Sequence, residues 1–239
     1  YEIRLSLVCS EMCIRDRLMP GTEHIPPPTR GKCHFNCSDE NHDGCINYLE
    51  YVIEMEGDIG AVVAEPMRWT TVELPPPNYW KRVRDICTKN DVLLIFDEIP
   101  SALGRTGKMY VCEHFDVEPD MLVIGKGLGG GVFPMAALLA NDALNVVEDK
   151  ALGHYTHEKS SVGCAAALAT IDCLMEDGLL DNAVTLGNSG LQQLEALKLT
   201  ASSSKFCAQC RSSSHQQTMR VAKSHTTPPY IPCPSAKLS

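Results

Sequence analysis

Two stretches decide the fold of this chain: Val92-Leu-Leu-Ile-Phe-Asp97-Glu98 and Met121-Leu-Val-Ile-Gly-Lys126-Gly-Leu-Gly-Gly-Gly131. Each begins with a short apolar run that has no polar alternation, which is typical of a strand covered on both faces. The first run ends in a carboxylate, and the second ends in a lysine followed by a cluster of glycines. We therefore predict two buried strands that each deliver a charged side chain at the carboxyl end.

A third apolar run, Gly60-Ala-Val-Val-Ala64, precedes these two, and the segment between it and Val92 has helical spacing of apolar residues. This β-α-β order predicts a parallel sheet with right-handed crossovers. The fold class is therefore α/β, a mostly parallel sheet with flanking helices. The remaining expected elements are strands at Met121–Ile124 and Met135–Ala140 and helices at Tyr48–Glu56, Ser161–Glu176 and Leu179–Lys198.

Three charged residues follow the carboxyl ends of the first three strands, namely Glu65, Asp97 and Lys126. Ligands of open α/β sheets gather at that edge. A lysine and an aspartate from neighbouring strands are what a pyridoxal-phosphate site needs, because the lysine forms a Schiff base and the aspartate keeps the pyridine nitrogen protonated. We therefore expect pyridoxal 5'-phosphate at Lys126 and Asp97.

The stretch Asp97-Glu-Ile-Pro-Ser-Ala-Leu-Gly-Arg-Thr-Gly107, together with residues 118–131, closely resembles the cofactor core of class III (ornithine-type, subgroup II) aminotransferases. The resemblance runs from about Gly57 to Leu197. Gly153-His-Tyr-Thr156-His-Glu-Lys is closer to one branch of that family, which includes ammonia-lyases of hydroxy-aminoethylphosphonate. The resemblance implies the large domain of a fold-type I enzyme, present as a fragment truncated at both ends.

The resemblance also implies roles for individual residues. Ile99 falls where the family places a branched aliphatic side chain against the cofactor ring, and Glu65 resembles a carboxylate that gates the substrate site. Thr156 matches a threonine that reaches the phosphate of the neighbouring subunit's cofactor, although a helix cap is an equally good interpretation. Pro100 stands where the common pattern has a glutamine, so the contact to the ring hydroxyl is lost or supplied elsewhere.

The implied reaction is transfer of an amino group between an amine or amino acid and a 2-oxo acid, in a homodimer. Elimination of ammonia from an amino-phosphonate-like substrate is the alternative, because both reactions begin with the same covalent adduct. The family's upstream phosphate cradle and C-terminal domain have no counterpart in this sequence, so we expect weak or absent cofactor binding by the chain as written.

The segment from Cys33 to Glu50 carries two overlapping metal patterns. A calcium-loop spacing is satisfied by Asp39, Asn41, Asp43 and Glu50. A Cys-x3-Cys-x4-His-x2-Cys arrangement would instead suit zinc. A polar surface loop without metal is the third interpretation. A calcium-binding module resting on residues 39–50 is thus an alternative function of a different class.

Composition excludes several classes. The net charge of −9 argues against nucleic acid and anionic membranes as partners, and no apolar run reaches the ~20 residues of a membrane span. Twelve scattered cysteines and no recognisable secretion signal favour a reduced, cytoplasmic setting.

The expected organisation along the chain has four parts. Residues 1–17 are expected to be foreign, because Glu11-Met-Cys-Ile-Arg-Asp-Arg17 is what a transposon-end sequencing adapter encodes. Residues 18–56 form a Cys- and Asp-rich loop and helix, and residues 57–198 form the cofactor-binding core. Residues 199–239, rich in Ser, Thr and Pro, are expected to be a disordered or frameshifted tail.

Overall fold

A computed structural model of the chain describes residues 21–28, 33–38, 41–70, 72–146 and 160–200, with side chains described as far as residue 197. The chain divides into two compact units, residues 1–186 and 187–239. The elements of the described residues are helices α1 (Asp43–Glu56), α2 (Tyr79–Lys89), α3 (Ser161–Glu176) and α4 (Leu179–Thr200) and strands β1 (Ala61–Ala64), β2 (Leu93–Asp97), β3 (Met121–Ile124) and β4 (Ala137–Ala140).

The four strands form one sheet in the order β1-β2-β3-β4. The first three are parallel, with Ala64 beside Phe96 and Asp97 beside Val123. β4 runs antiparallel to β3. The prediction of a mostly parallel sheet is confirmed, and the predicted strand at Met135–Ala140 forms from Ala137 onward.

The core lies where α1 and α2 pack with the sheet. Val83 and Cys87 of α2 and Leu94 and Phe96 of β2 are fully or almost fully buried. Trp80 packs edge-on against Phe96 with ring centres 4.9 Å apart, and its indole N–H donates to the Pro66 carbonyl at 2.8 Å. The apolar stripe of α2 thus fixes the loop that follows β1, which carries one of the predicted site residues.

α3 has the predicted bounds, and α4 begins at the predicted Leu179 but ends at Thr200 rather than at Lys198. The Ser160 hydroxyl accepts a hydrogen bond from the Gly163 N–H at 3.3 Å, which caps the first turn of α3. Gly178, with φ of +67°, separates the two helices. Within the described residues, none of the helices combines the length and apolarity that a membrane crossing requires.

α1 begins at Asp43 rather than at the predicted Tyr48. The Asn41 side-chain oxygen accepts a hydrogen bond from the Asp43 N–H at 2.7 Å, which starts the helix early. Burial of Cys45, Ile46 and Leu49 adds apolar packing to this first part of the helix. The helix therefore occupies most of the segment that the calcium pattern required as a loop.

Candidate active site

Three predicted site residues lie at the carboxyl edge of the sheet. Glu65 follows β1 directly, Asp97 is the last residue of β2, and Lys126 follows β3 after a single glycine. Because Asp97 stands beside Val123 and adjacent strands lie about 4.8 Å apart, the chain delivers Asp97 and the Lys126 turn to the same edge. The structure thus brings the lysine and the carboxylate of the sequence prediction to one side of the sheet.

Lys126 occupies an unusual backbone position. It opens a short 3-10 turn, Lys126–Gly129, with φ of +47°, and it is exposed. The left-handed region is unfavourable for a residue with a Cβ, and such strain concentrates at active sites and ligand clamps. The turn therefore holds the lysine in a defined position while its amine remains accessible.

Gly125 allows close packing immediately before the lysine. A Cβ at this position would lie 3.3 Å from the Cβ of Ala136 and 3.5 Å from Cγ2 of Ile99. A larger side chain would therefore displace one of these neighbours. The same contact places Ile99 beside the backbone that carries Lys126.

The Asp97 carboxylate is half-buried and accepts a hydrogen bond from the Ile99 N–H through Oδ1 at 3.1 Å. This bond is an Asx turn, which fixes the orientation of the carboxylate at the strand end. The same turn fixes the position of Ile99. Asp97 is therefore both a candidate ligand and an organiser of the loop.

Glu98 is a residue that the sequence reasoning missed. Its side chain is fully buried, and its two carboxylate oxygens accept hydrogen bonds from the backbone N–H groups of Val111 (2.6 Å) and Cys112 (2.8 Å). Burial raises the pKa of Glu98 above its usual value, and the two amide donors oppose that shift. Glu98 thus ties the 3-10 turn Val111–His114 to the end of β2.

The same loop is pressed against the helices at two glycines. A Cβ at Gly104 would lie 2.9 Å from Leu180, and one at Gly107 would lie 2.3 Å from Val184. Both glycines also have positive φ, so a side chain there would meet steric and backbone strain together. Hydrogen bonds at Asp97 and Glu98 and close contacts at Gly104 and Gly107 therefore hold the loop that follows β2 in place.

Glu65 is half-buried, and its Oε2 accepts a hydrogen bond from the Trp69 N–H at 2.8 Å. The guanidinium of Arg105 lies over the Trp69 ring, 4.8 Å from its centre. Arg105 thus stacks on an aromatic side chain. The loops after β1 and β2 meet through this stack.

Two predicted site residues, Thr156 and Asp39, lie outside the described residues. The positions of the other predicted calcium ligands do not support a calcium site. The Asp43 carboxylate pairs with Arg82, and Glu50 pairs with Lys89 at 2.7 Å, so each contacts a cation of α2. Because both belong to α1, Glu50 lies about 10 Å further along the helix axis than Asp43, too far for both to bind one ion.

Comparison with known proteins agrees with this geometry. The family model for class III aminotransferases matches residues 5–214. The (R)-1-hydroxy-2-aminoethylphosphonate ammonia-lyase of Vibrio splendidus is 46% identical over 192 residues, and a putrescine aminotransferase of Pectobacterium atrosepticum is 42% identical over 145. These alignments cover 73% and 58% of this chain.

A solved amine transaminase from an uncultivated Pseudomonas species, in its pyridoxal-phosphate-bound form, superimposes with a TM-score of 0.70 at 31% identity, over 78% of this chain. The chain spans 40% of the Vibrio enzyme, 31% of the Pectobacterium enzyme and 45% of this transaminase. The fold-type I large domain predicted from the sequence is confirmed.

Proposed function

Because the chain belongs to the class III aminotransferase family, whose members depend on pyridoxal 5'-phosphate, we propose that it holds this cofactor through Lys126 and Asp97 and catalyses amino-group transfer. The donor is an amine or amino acid, and the acceptor is a 2-oxo acid. The observation that carries the proposal is the convergence of Lys126 and Asp97 at the ends of adjacent parallel strands.

The residues at this edge fit the cofactor chemically. Lys126 offers an exposed primary amine on a rigid turn, and Asp97 offers a half-buried carboxylate of fixed orientation. Gly125 and Ile99 bring an apolar surface close to the lysine. When bound, pyridoxal phosphate supplies an electron sink for breaking bonds next to an amino group.

The proposed roles follow from the chemistry of each side chain. Lys126 would bind the cofactor covalently, and its amine, when free, would take a proton from the carbon that bears the amino group. Asp97 keeps a proton on the ring nitrogen, and Ile99 packs against the ring. Glu65 sets the charge near the substrate, and Thr156 donates its hydroxyl to a phosphate oxygen.

Ammonia elimination is the second candidate function. It is supported by the 46% identity to the Vibrio ammonia-lyase and by Pro100, which has no side-chain donor where the common family pattern has a glutamine. A change in contacts to the ring alters which bond is broken without altering the roles of Lys126 and Asp97.

The two functions differ in their need for an acceptor. Because weak cofactor binding is expected of the chain as written, the full chain is incubated with an excess of the cofactor and either putrescine or (R)-1-hydroxy-2-aminoethylphosphonate, with and without pyruvate, and both free ammonia and alanine are measured. We expect alanine that depends strictly on pyruvate. Ammonia released without pyruvate would establish the lyase, and neither product above a cofactor-only control would contradict both.

We also propose that the active form is a homodimer. The support is the exposure of large apolar side chains on α3, where Leu168 and Met175, seven residues apart and so on one face of the helix, are 60% and 62% exposed. Large apolar side chains grouped on one helix favour a protein contact. Light scattering of the full chain is expected to give twice the monomer mass of 26.2 kDa, and a monomer at micromolar concentration would contradict this proposal.

A further inference from the structure

Four potential metal ligands meet at the beginning of α1. The donor atoms of Cys33, Cys37, His42 and Cys45 all lie within 4.8 Å of one another. The Cys45 Sγ atom is central: it lies 3.2 Å from Cys33 Sγ, 3.8 Å from Cys37 Sγ and 3.5 Å from His42 Nδ1. These residues do not belong to the cofactor edge of the sheet.

The loop around these residues has the features of a built site. The Phe35 N–H points at Cys33 Sγ at 3.4 Å, and the Asn36 N–H donates to the Cys33 carbonyl at 3.1 Å. Asn36 turns the chain with φ of +51°. Backbone N–H groups that face a sulfur atom stabilise its ionised form, which is the form that binds metal.

Gly44 shows how closely the loop approaches α1. A Cβ at this position would lie 2.7 Å from the Cβ of Phe35 and 3.0 Å from Cys37 Sγ. Only glycine therefore lets Cys37 reach the helix start. Cys45 and His42 are 0% and 2% exposed, so two of the four donors are withdrawn from solvent.

We propose that Cys33, Cys37, His42 and Cys45 bind one zinc ion. Tetrahedral zinc with bond lengths of about 2.3 Å to sulfur and 2.0–2.1 Å to nitrogen separates its donors by about 3.8 Å (S to S) and about 3.6 Å (S to N). Two of the three separations around Cys45, 3.8 Å to Cys37 Sγ and 3.5 Å to His42 Nδ1, match these values, and the third, 3.2 Å to Cys33 Sγ, is shorter. Three cysteines and one histidine form a typical closed structural zinc site.

The charge balance is favourable at this position. Binding releases the protons of three thiols, so the site with Zn²⁺ carries a net charge of about −1. His42 and Cys45 lie at the N-terminal end of the 14-residue helix α1, where the helix dipole favours negative charge. Soft thiolate donors select zinc over calcium or magnesium, which require oxygen ligands.

The zinc ion has a structural role. All four positions are filled by protein, so none is open for substrate. The ion would join the loop at residues 33–37 to α1, and the His42 ring packs edge-on toward Tyr79 of α2 with ring centres 6.3 Å apart. The site thus fastens this loop to the helices that cover the sheet.

Zinc content and cobalt spectroscopy of the full chain test the proposal. We expect about one zinc per chain in protein purified without chelators, and visible absorption typical of tetrahedral, thiolate-bound cobalt after replacement of zinc by Co²⁺. Cys37→Ser should lower the affinity for the metal at least about 100-fold, because it removes a ligand rather than a supporting contact. Because Cys37 is a half-buried loop residue, we expect this variant to fold, and circular dichroism checks that it does.

Matched variants separate this site from other cysteines. Cys87→Ser removes a buried thiol in α2, and the double variant C207S/C210S removes the Cys-x2-Cys pair near the end of the chain. Both should retain the zinc and the cobalt spectrum. The proposal is overturned by an octahedral cobalt spectrum, by zinc retained in Cys37→Ser, or by a chain mass that lacks two hydrogens because Cys45 forms a disulfide instead.

Discussion

Lys126→Ala is expected to abolish selective labelling of the chain by pyridoxal phosphate. The full chain is treated with the cofactor, reduced with borohydride and digested, and the pyridoxyl group is located by peptide mass spectrometry. In the unsubstituted chain the label should concentrate at Lys126, because it follows the strand next to the one that ends in Asp97, whereas Lys81 is an ordinary exposed lysine of α2. Reduction traps even weakly bound cofactor, so the readout does not depend on turnover.

Two variants control this experiment. Lys81→Ala should leave the label at Lys126 unchanged. Lys126→Gly should lose the label as completely as Lys126→Ala, while thermal stability rises by up to about 1 kcal/mol because glycine adopts a positive φ without strain. An equal yield of label at Lys81 and Lys126 would refute the assignment of the cofactor lysine, whatever the activity assay shows.

Glu98→Ala is expected to destabilise the chain by roughly 2–6 kcal/mol, because two buried N–H groups each lose a partner at a cost of about 1–3 kcal/mol. The groups belong to Val111 and Cys112. Urea unfolding followed by circular dichroism measures the loss. The matched control is Glu113→Ala, because the exposed Glu113 carboxylate accepts a hydrogen bond from the Tyr110 N–H in the same turn, where water can replace it.

Glu98→Gln should cost less than Glu98→Ala, since the amide oxygen still accepts one of the two bonds. The pH dependence has a defined sign. A carboxyl group whose folded pKa is raised stabilises the fold less as pH rises from its unfolded value of 4.5 through the folded value. The difference in free energy of unfolding between the unsubstituted chain and Glu98→Gln should therefore become smaller as pH rises through that range. Equal losses for Glu98→Ala and Glu113→Ala would show that the buried carboxylate has no special role.

Local signals were sufficient for much of the fold. β3 and α3 have the predicted bounds, because a short uninterrupted apolar run and an alanine-rich segment that ends before a glycine depend on few distant contacts. The positions of Asp97 and Lys126 followed from the same logic, since each lies at the end of such a run. For these elements, periodicity and capping contain most of the information.

Other features depend on distant contacts. The predicted start of α1 was wrong because Asn41 and Asp43 satisfy both a calcium-loop spacing and a helix start. The burial of Cys45 and Ile46, which accompanies the helix, depends on distant contacts. Glu98 was missed because its partners lie more than ten residues away in a turn whose position sequence spacing does not reveal. From the sequence, zinc binding was one of three open interpretations of the segment that begins at Cys33. The structure then showed that the sulfur atoms of Cys33 and Cys45 lie together.

The strands stand in the sheet in the order in which they occur in the chain. During synthesis, each of these four strands can therefore pair with the strand made just before it, at the free edge of the sheet. None of the four has to be inserted between two strands that have already formed. Glu65, Asp97 and Lys126 can in this way be gathered at one edge of the sheet before α3 and α4 are available to pack.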